Sequence, residues 1–312
     1  MNLRRQLCFG VDAPEQAAWP QWHISAWLTI PTELRRNELQ ILVHGAGSDH
    51  RYWDWPLEAE RYSYVEWAAQ RGIATLNIDR IGCGHSSYPP GAEIDVAAHV
   101  HTLSQIVRDI RAGRSGIPSI ERVVLVGHSM GSVVCGATAA VCADVDAVVL
   151  TGYLPVDGTP AMGDDLFDYA FVSALEGLPQ LQGIVDDEYL VPRADLGVEQ
   201  LRYWAAQTDP AMPAFDSLIK GAATKAELSD AAVAGPGIRA IATPALGLIG
   251  QHDALLIDQS LGETDTHDTV RRVAQGIGPN FDFAVIPDAG HMLNLQRNAQ
   301  DCFVAMDDWL SR

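Results

Sequence analysis

A strand-like run, Arg122-Val123-Val124-Leu125-Val126, leads into Gly127-His128-Ser129-Met130-Gly131, and a small-residue helical segment follows from Ser132 to Val141. This Gly-x-Ser-x-Gly pattern constrains the fold more than any other feature. Its strand–turn–helix setting demands a sharp turn that lifts a serine hydroxyl above the edge of a sheet. The backbone at such a serine is strained, and crowding two residues to either side accounts for Gly127 and Gly131. A helix starting after Ser129 aims its free N–H groups and positive dipole end at the turn, where negative charge would develop. The plainer alternative is a helix start with a serine cap. Partners farther along the chain argue against it.

The 312 residues alternate strand-like and helix-like segments. Arg5 to Val11 and His23 to Ile30 read as an opening pair of strands. Leu39 to His44 is a short buried strand ending in Gly45-Ala46-Gly47, and Ala74 to Asp79 is another, ending before Gly82-Cys83-Gly84. Asp95 to Arg111 is an amphipathic helix with Val96, Val100, Leu103, Val107 and Ile110 on one face. Further strands are expected at Ala147–Leu150, Ala245–Ile249 and Phe283–Ile286, with a closing helix around Met306–Leu310. Such alternation predicts an α/β fold, a mostly parallel central sheet with helices on both faces. Residues 153–239 break the pattern, with Pro and Gly punctuation and many aromatics but no clear buried strand. They read as a helical cap inserted between core segments 1–152 and 240–312, over the sheet edge where open α/β sheets place ligands.

A formal net charge of −19 disfavours nucleic acid and anionic membranes as partners, since both reward basic patches. No run of about 18 apolar residues predicts a membrane span, and Met1–Asp12 carries no signal-peptide pattern. The five cysteines (Cys8, Cys83, Cys135, Cys142 and Cys302) show no ligand spacing and read as reduced thiols of a cytoplasmic protein. Self-association is left open.

A serine needs a base to take its proton. Of ten histidines, His291 follows the last strand through Pro287-Asp288-Ala289-Gly290, at the sheet edge that holds Ser129, so it is the expected general base. His128 and His44 read as structural, and His85, His99, His101 and His267 lack a strand-end setting. The acid that orients the imidazole is expected at Asp253, after Ala245–Ile249 and Gly250-Gln251-His252, with Asp157 as the rival. Oxyanion donors are expected at the N–H groups of Met130 and Ala46. Trp53, Tyr153 and Met292 are expected to contact substrate. Tyr52, Trp53 and Trp55, with the aromatic insertion, suggest an apolar or aromatic substrate, although they could equally pack a core. No metal site or cofactor is expected, and Gly82-x-Gly84 lacks the third glycine of a dinucleotide fingerprint.

These strand ends, in this order, resemble the α/β-hydrolase superfamily. The likeness covers nearly the whole chain. Its anchors are His44-Gly45-Ala46-Gly47, the Asp-x-x-Gly-x-Gly-x-Ser segment Asp79 to Ser86, the Gly127–Gly131 turn, Gly250-Gln251-His252-Asp253 and Gly290-His291. The resemblance implies a Ser129–His291–Asp253 triad, a structural Asp79 and a cap over the sheet edge. A serine at the turn excludes relatives that use a carboxylate nucleophile there. What remains is acyl chemistry: hydrolysis of a carboxylic ester or lactone of a small molecule first, with thioesterase or acyltransferase action, or a non-turnover small-molecule receptor, as alternatives.

Overall fold

A computed structural model describes residues 2–153, 169–231, 240–256, 268, 270–271, 277 and 280–312. Its main sheet has eight strands: β1 (Leu3–Asp12), β2 (Gln21–Ile30), β3 (Glu38–Val43), β4 (Ala74–Ile78), β5 (Arg122–His128), β6 (Ala147–Thr151), and two more, Ala245–Gly250 and Phe281–Ile286. In spatial order they run β1-β2-β4-β3-β5-β6, then Ala245–Gly250, then Phe281–Ile286. β1 and β2 pair antiparallel, and β2 meets β4 antiparallel. From β4 onward every pairing is parallel, with Val43 opposite both Ile78 and Gly127, and His128 opposite Thr151. The C-terminal ends of six strands therefore share one edge. The turns holding Gly45, Ser129, Asp253 and His291 all leave from it.

The strands read as near-continuous apolar runs because both faces are covered. Alternate side chains of β5 divide between two cores. Val123 and Leu125 pack with Leu103, Val107 and Val133, residues of α3 (Val96–Arg111) and α4 (Met130–Val141), the helices that follow the short α1 (Ala59–Tyr62) and α2 (Tyr64–Gln70). Val124 and Val126 pack with Tyr64, Trp67 and Phe303, the last from the closing helix Ala299–Leu310. Asp95 starts α3 by accepting a hydrogen bond from the Ala98 N–H at 2.7 Å, satisfying one of the helix's free donors. Polar residues inside β3 are satisfied in place: Glu38 accepts from Gln40 and Arg122, and Gln40 accepts from the Tyr64 hydroxyl. All five cysteines are free thiols.

The segment between β6 and the strand Ala245–Gly250 departs from the all-helical expectation. Its described residues contain a three-stranded antiparallel sheet, β7 (Phe171–Ser173), β8 (Tyr189–Pro192) and β9 (Ala223–Thr224), as well as short helices. Strands of two to four residues are too short to show a period-2 pattern, and Pro192 at the end of β8 reads as loop punctuation. Among the described residues no helix is long and apolar enough to cross a membrane.

Candidate active site

Ser129 sits between β5 and α4 with φ 52° and ψ −117°, a positive-φ conformation that a non-glycine residue adopts only when its surroundings impose it. The turn is pinned by the Ser129 N–H donating to the Thr151 carbonyl at 2.8 Å. A Cβ at Gly131 would stand 2.2 Å from the Val43 carbonyl oxygen, and one at Gly127 would stand 2.4 Å from that of Gly131. The two glycines are therefore needed for close backbone approach, as the sequence pattern suggests.

His291 and Asp253 come together from separate strand ends. The imidazole Nδ1 lies 2.9 Å from Asp253 Oδ2, and Asp253 is fully buried. The Leu255 N–H donates to the other carboxylate oxygen at 3.1 Å. The turn carrying His291 is fixed to the neighbouring loop, with the His252 N–H donating to the Ala289 carbonyl at 2.7 Å. Ser129 and His291 line one pocket, with Asp253 behind the imidazole. Asp157, the rival, lies outside the described residues.

Ala46, Met130, Tyr153 and Met292 line the same pocket, whose walls are mainly apolar: Val133, Phe171, Val198 and Leu228 contribute. Trp53 does not line it. That residue is fully buried in the second core, edge-on to Tyr52 and Tyr64 with ring centroids 5.1 and 5.7 Å away. Trp55 packs against Phe215. The aromatics after the Gly45-Ala46-Gly47 turn are thus core, and the expected substrate contact at Trp53 is corrected.

His128 forms part of the pocket wall. Its ring stacks on Tyr52, with centroids 4.2 Å apart, and lies 5.0 Å from that of His291. Burial, and then the neighbouring His291, push its pKa well below the ordinary range, so it is neutral. Its Nδ1–H donates to Thr151 Oγ1 at 3.1 Å. His44 is also neutral, pushed down to about 4 by burial and the Arg80 charge. It accepts from the Arg80 N–H through Nε2 and donates through Nδ1 to the Gly45 carbonyl. His252 stacks on Trp204 away from the pocket.

Sequence reasoning missed Arg202, which reaches the pocket from the helix Leu196–Arg202. Its Nη1 donates to Asp216 at 2.6 Å, and its backbone carbonyl accepts the Met292 N–H. It also missed a fully buried group formed by Arg80, His99 and Glu227. Single residues far apart in sequence carry no local signal for either. Among the described residues, His50, Asp79 and His85 hold possible metal-ligating atoms within 4.8 Å of one another. Asp79 there accepts hydrogen bonds from the backbone N–H groups of His50 and His85, which ties two turns together. Burial works against the charge of Asp79, but the His50 contacts outweigh it and lower the carboxyl pKa.

The chain belongs to the alpha/beta hydrolase family, which it matches over residues 40–303. No curated protein matches it by sequence. Its structure is similar to that of a bromoperoxidase from Bacillus anthracis, with a TM-score of 0.62 and 18% identity over 97% of this chain and 100% of that one. It is similar to a soluble variant of monoglyceride lipase from Saccharomyces cerevisiae, solved with a substrate analogue (TM-score 0.63, 16% identity, 96% and 94% of the two chains). It is also similar to an esterase from Pyrococcus furiosus (TM-score 0.56, 14% identity, 99% and 91%). At these identities the likeness is one of fold. Family membership and these neighbours together support a hydrolase.

Proposed function

We propose that this chain is a serine hydrolase that cleaves the ester-type bond of a small apolar carboxylic ester or lactone through an acyl-enzyme. The observation that carries this reading is a strained Ser129 sharing an apolar pocket with a His291 backed by a buried carboxylate at 2.9 Å. In this reading His291 takes the Ser129 proton as the hydroxyl attacks the carbonyl, and then gives it to the leaving alcohol. Water, deprotonated by the same imidazole, releases the acid. Asp253 holds the Nδ1–H tautomer and stabilises the imidazolium. The N–H groups of Ala46 and Met130 receive the oxyanion. Residues 153–239 act as the cap that shapes the pocket, with Tyr153 and Met292 against the substrate. The apolar walls favour aliphatic or aryl acyl groups over charged ones.

The test is labelling with a fluorophosphonate, mapped by mass spectrometry and followed by a panel of esters, lactones and thioesters. Labelling of Ser129, lost in Ser129→Ala, together with multiple turnover of esters or lactones, supports the reading. A folded protein that does not label, or that prefers thioesters by a wide margin, counts against it.

A further inference from the structure

Arg80, His99 and Glu227 form a buried ionic group whose members come from the loop after β4, helix α3 and the inserted helix Lys225–Ala231. The side chains of Arg80 and Glu227 are 1% and 2% exposed. Glu227 Oε2 accepts from Arg80 Nη1 at 2.5 Å, and His99 Nε2 lies 2.6 Å from that oxygen and 2.8 Å from Nη1. Its Oε1 accepts the Thr224 N–H at 3.1 Å, so the carboxylate is fully partnered. Burial works against that charge, yet Arg80 and His99 hold the carboxyl pKa at about 2.

The other side of the guanidinium faces the oxyanion turn. Arg80 Nε donates to the His44 carbonyl at 3.1 Å, and Nη2 donates to the Gly45 carbonyl at 3.3 Å. The Gly45 carbonyl also accepts from His44 Nδ1 at 2.9 Å. That carbonyl belongs to the same planar peptide unit as the Ala46 N–H. In a trans peptide the two bonds point in opposite directions, so fixing the carbonyl toward Arg80 turns the N–H away from it. The Ala46 N–H makes no hydrogen bond within the described residues, and Ala46 lines the pocket beside Ser129.

We propose that Arg80, held by Glu227, is a positioning residue for the Ala46 N–H, so that docking of the inserted segment assembles the oxyanion site. The proposal rests on the serine-hydrolase reading and adds its control: a hydrolase whose charge-stabilising donor is set by an ion pair to the segment that shapes its pocket. A planar fork with several donors can hold Glu227 and two carbonyls at once, which a lysine ammonium cannot do in one geometry.

The test compares wild type with Glu227→Gln and Arg80→Lys, each checked for folding by circular dichroism and thermal unfolding at pH 7, on a short-chain p-nitrophenyl ester. Loss of a preorganised oxyanion donor costs about 10²–10³ in kcat when complete. A drop of fivefold or more in kcat, with KM within threefold, is expected in each variant. Affinity for a boronic acid transition-state analogue should fall by a similar factor, while affinity for the carboxylate product stays unchanged. A folded Glu227→Gln that loses less than fivefold in kcat, or loses activity only through KM, overturns the proposal. Should Glu227→Gln not fold, Arg80→Lys, which keeps the charge balance, carries the same decision. If wild type neither labels at Ser129 nor turns over the ester, the hydrolase reading fails separately. A crystal structure of Glu227→Gln then decides: a rotated Gly45–Ala46 peptide supports the positioning role, and an unchanged one overturns it.

Discussion

His291 Nδ1 and Asp253 Oδ2 lie 2.9 Å apart, joining two strand-end turns that are 38 residues apart in sequence. The carboxylate has no solvent contact, so its charge is felt by the imidazole with little screening. Asp253→Asn keeps the shape but allows the wrong tautomer, and kcat on an ester substrate should fall by roughly 10⁴ with KM little changed. Loss of less than tenfold would point to another acid, with Asp157 the first to try.

In the proposed mechanism Ser129 is the nucleophile and His291 its base, so Ser129→Ala and His291→Ala should each cost nearly as much as the two together. Steady-state kinetics of the single and double variants check this. Additive losses would mean that the two residues act in separate steps.

Trp53→Phe should leave kcat/KM within about twofold while costing about 1–3 kcal/mol of stability, since Trp53 packs on Tyr52 and Tyr64 in the second core. Met292→Ala, at the pocket wall, should instead change the preferred acyl chain length. Urea unfolding together with a chain-length series separates the two. A specificity change at Trp53 would reopen the pocket assignment.

Stability should fall as pH drops below neutral. The buried His44 has its pKa lowered to about 4, by burial first and then by Arg80. A lowered folded pKa means that the unfolded chain takes up the proton first. The contribution of neutral His44 is therefore full above the unfolded value of about 6.5 and is lost as pH falls toward about 4. His99 and His128, also lowered by burial, act in the same direction. Urea midpoints at pH 7, 5.5 and 4.5 should decline in order, and equal midpoints would contradict the buried neutral state.

Gly131→Ala should destabilise by about 1–3 kcal/mol, because the new methyl would meet the Val43 carbonyl at 2.2 Å and backbone would have to move. Chemical denaturation measures this directly. A neutral result would mean that the turn relaxes at little cost.

The central fold was legible because each parallel strand is a short apolar run that ends in turn residues, and His44, Ser129, Asp253 and His291 stand at or just past those ends. The glycines flanking Ser129 carried their own steric reason. The inserted segment was not legible in the same way. Its β7, β8 and β9 strands span two to four residues, below the length at which a period can be read. An aromatic after a turn reads the same whether it faces a cavity or a core, so nothing in the sequence marks Trp53 as buried. The Arg80–Glu227 contact spans 147 residues, and no local pattern marks such a pair.

That contact also limits how the chain can be recombined. A grafted insertion lacking an acidic side chain at the position of Glu227 would seal a guanidinium beneath it with no counter-charge, and breaking a buried pair in this way typically costs about 3–5 kcal/mol. New pockets could be built on this scaffold only from donors that bring their own anion for Arg80, or by replacing that arginine in the same step.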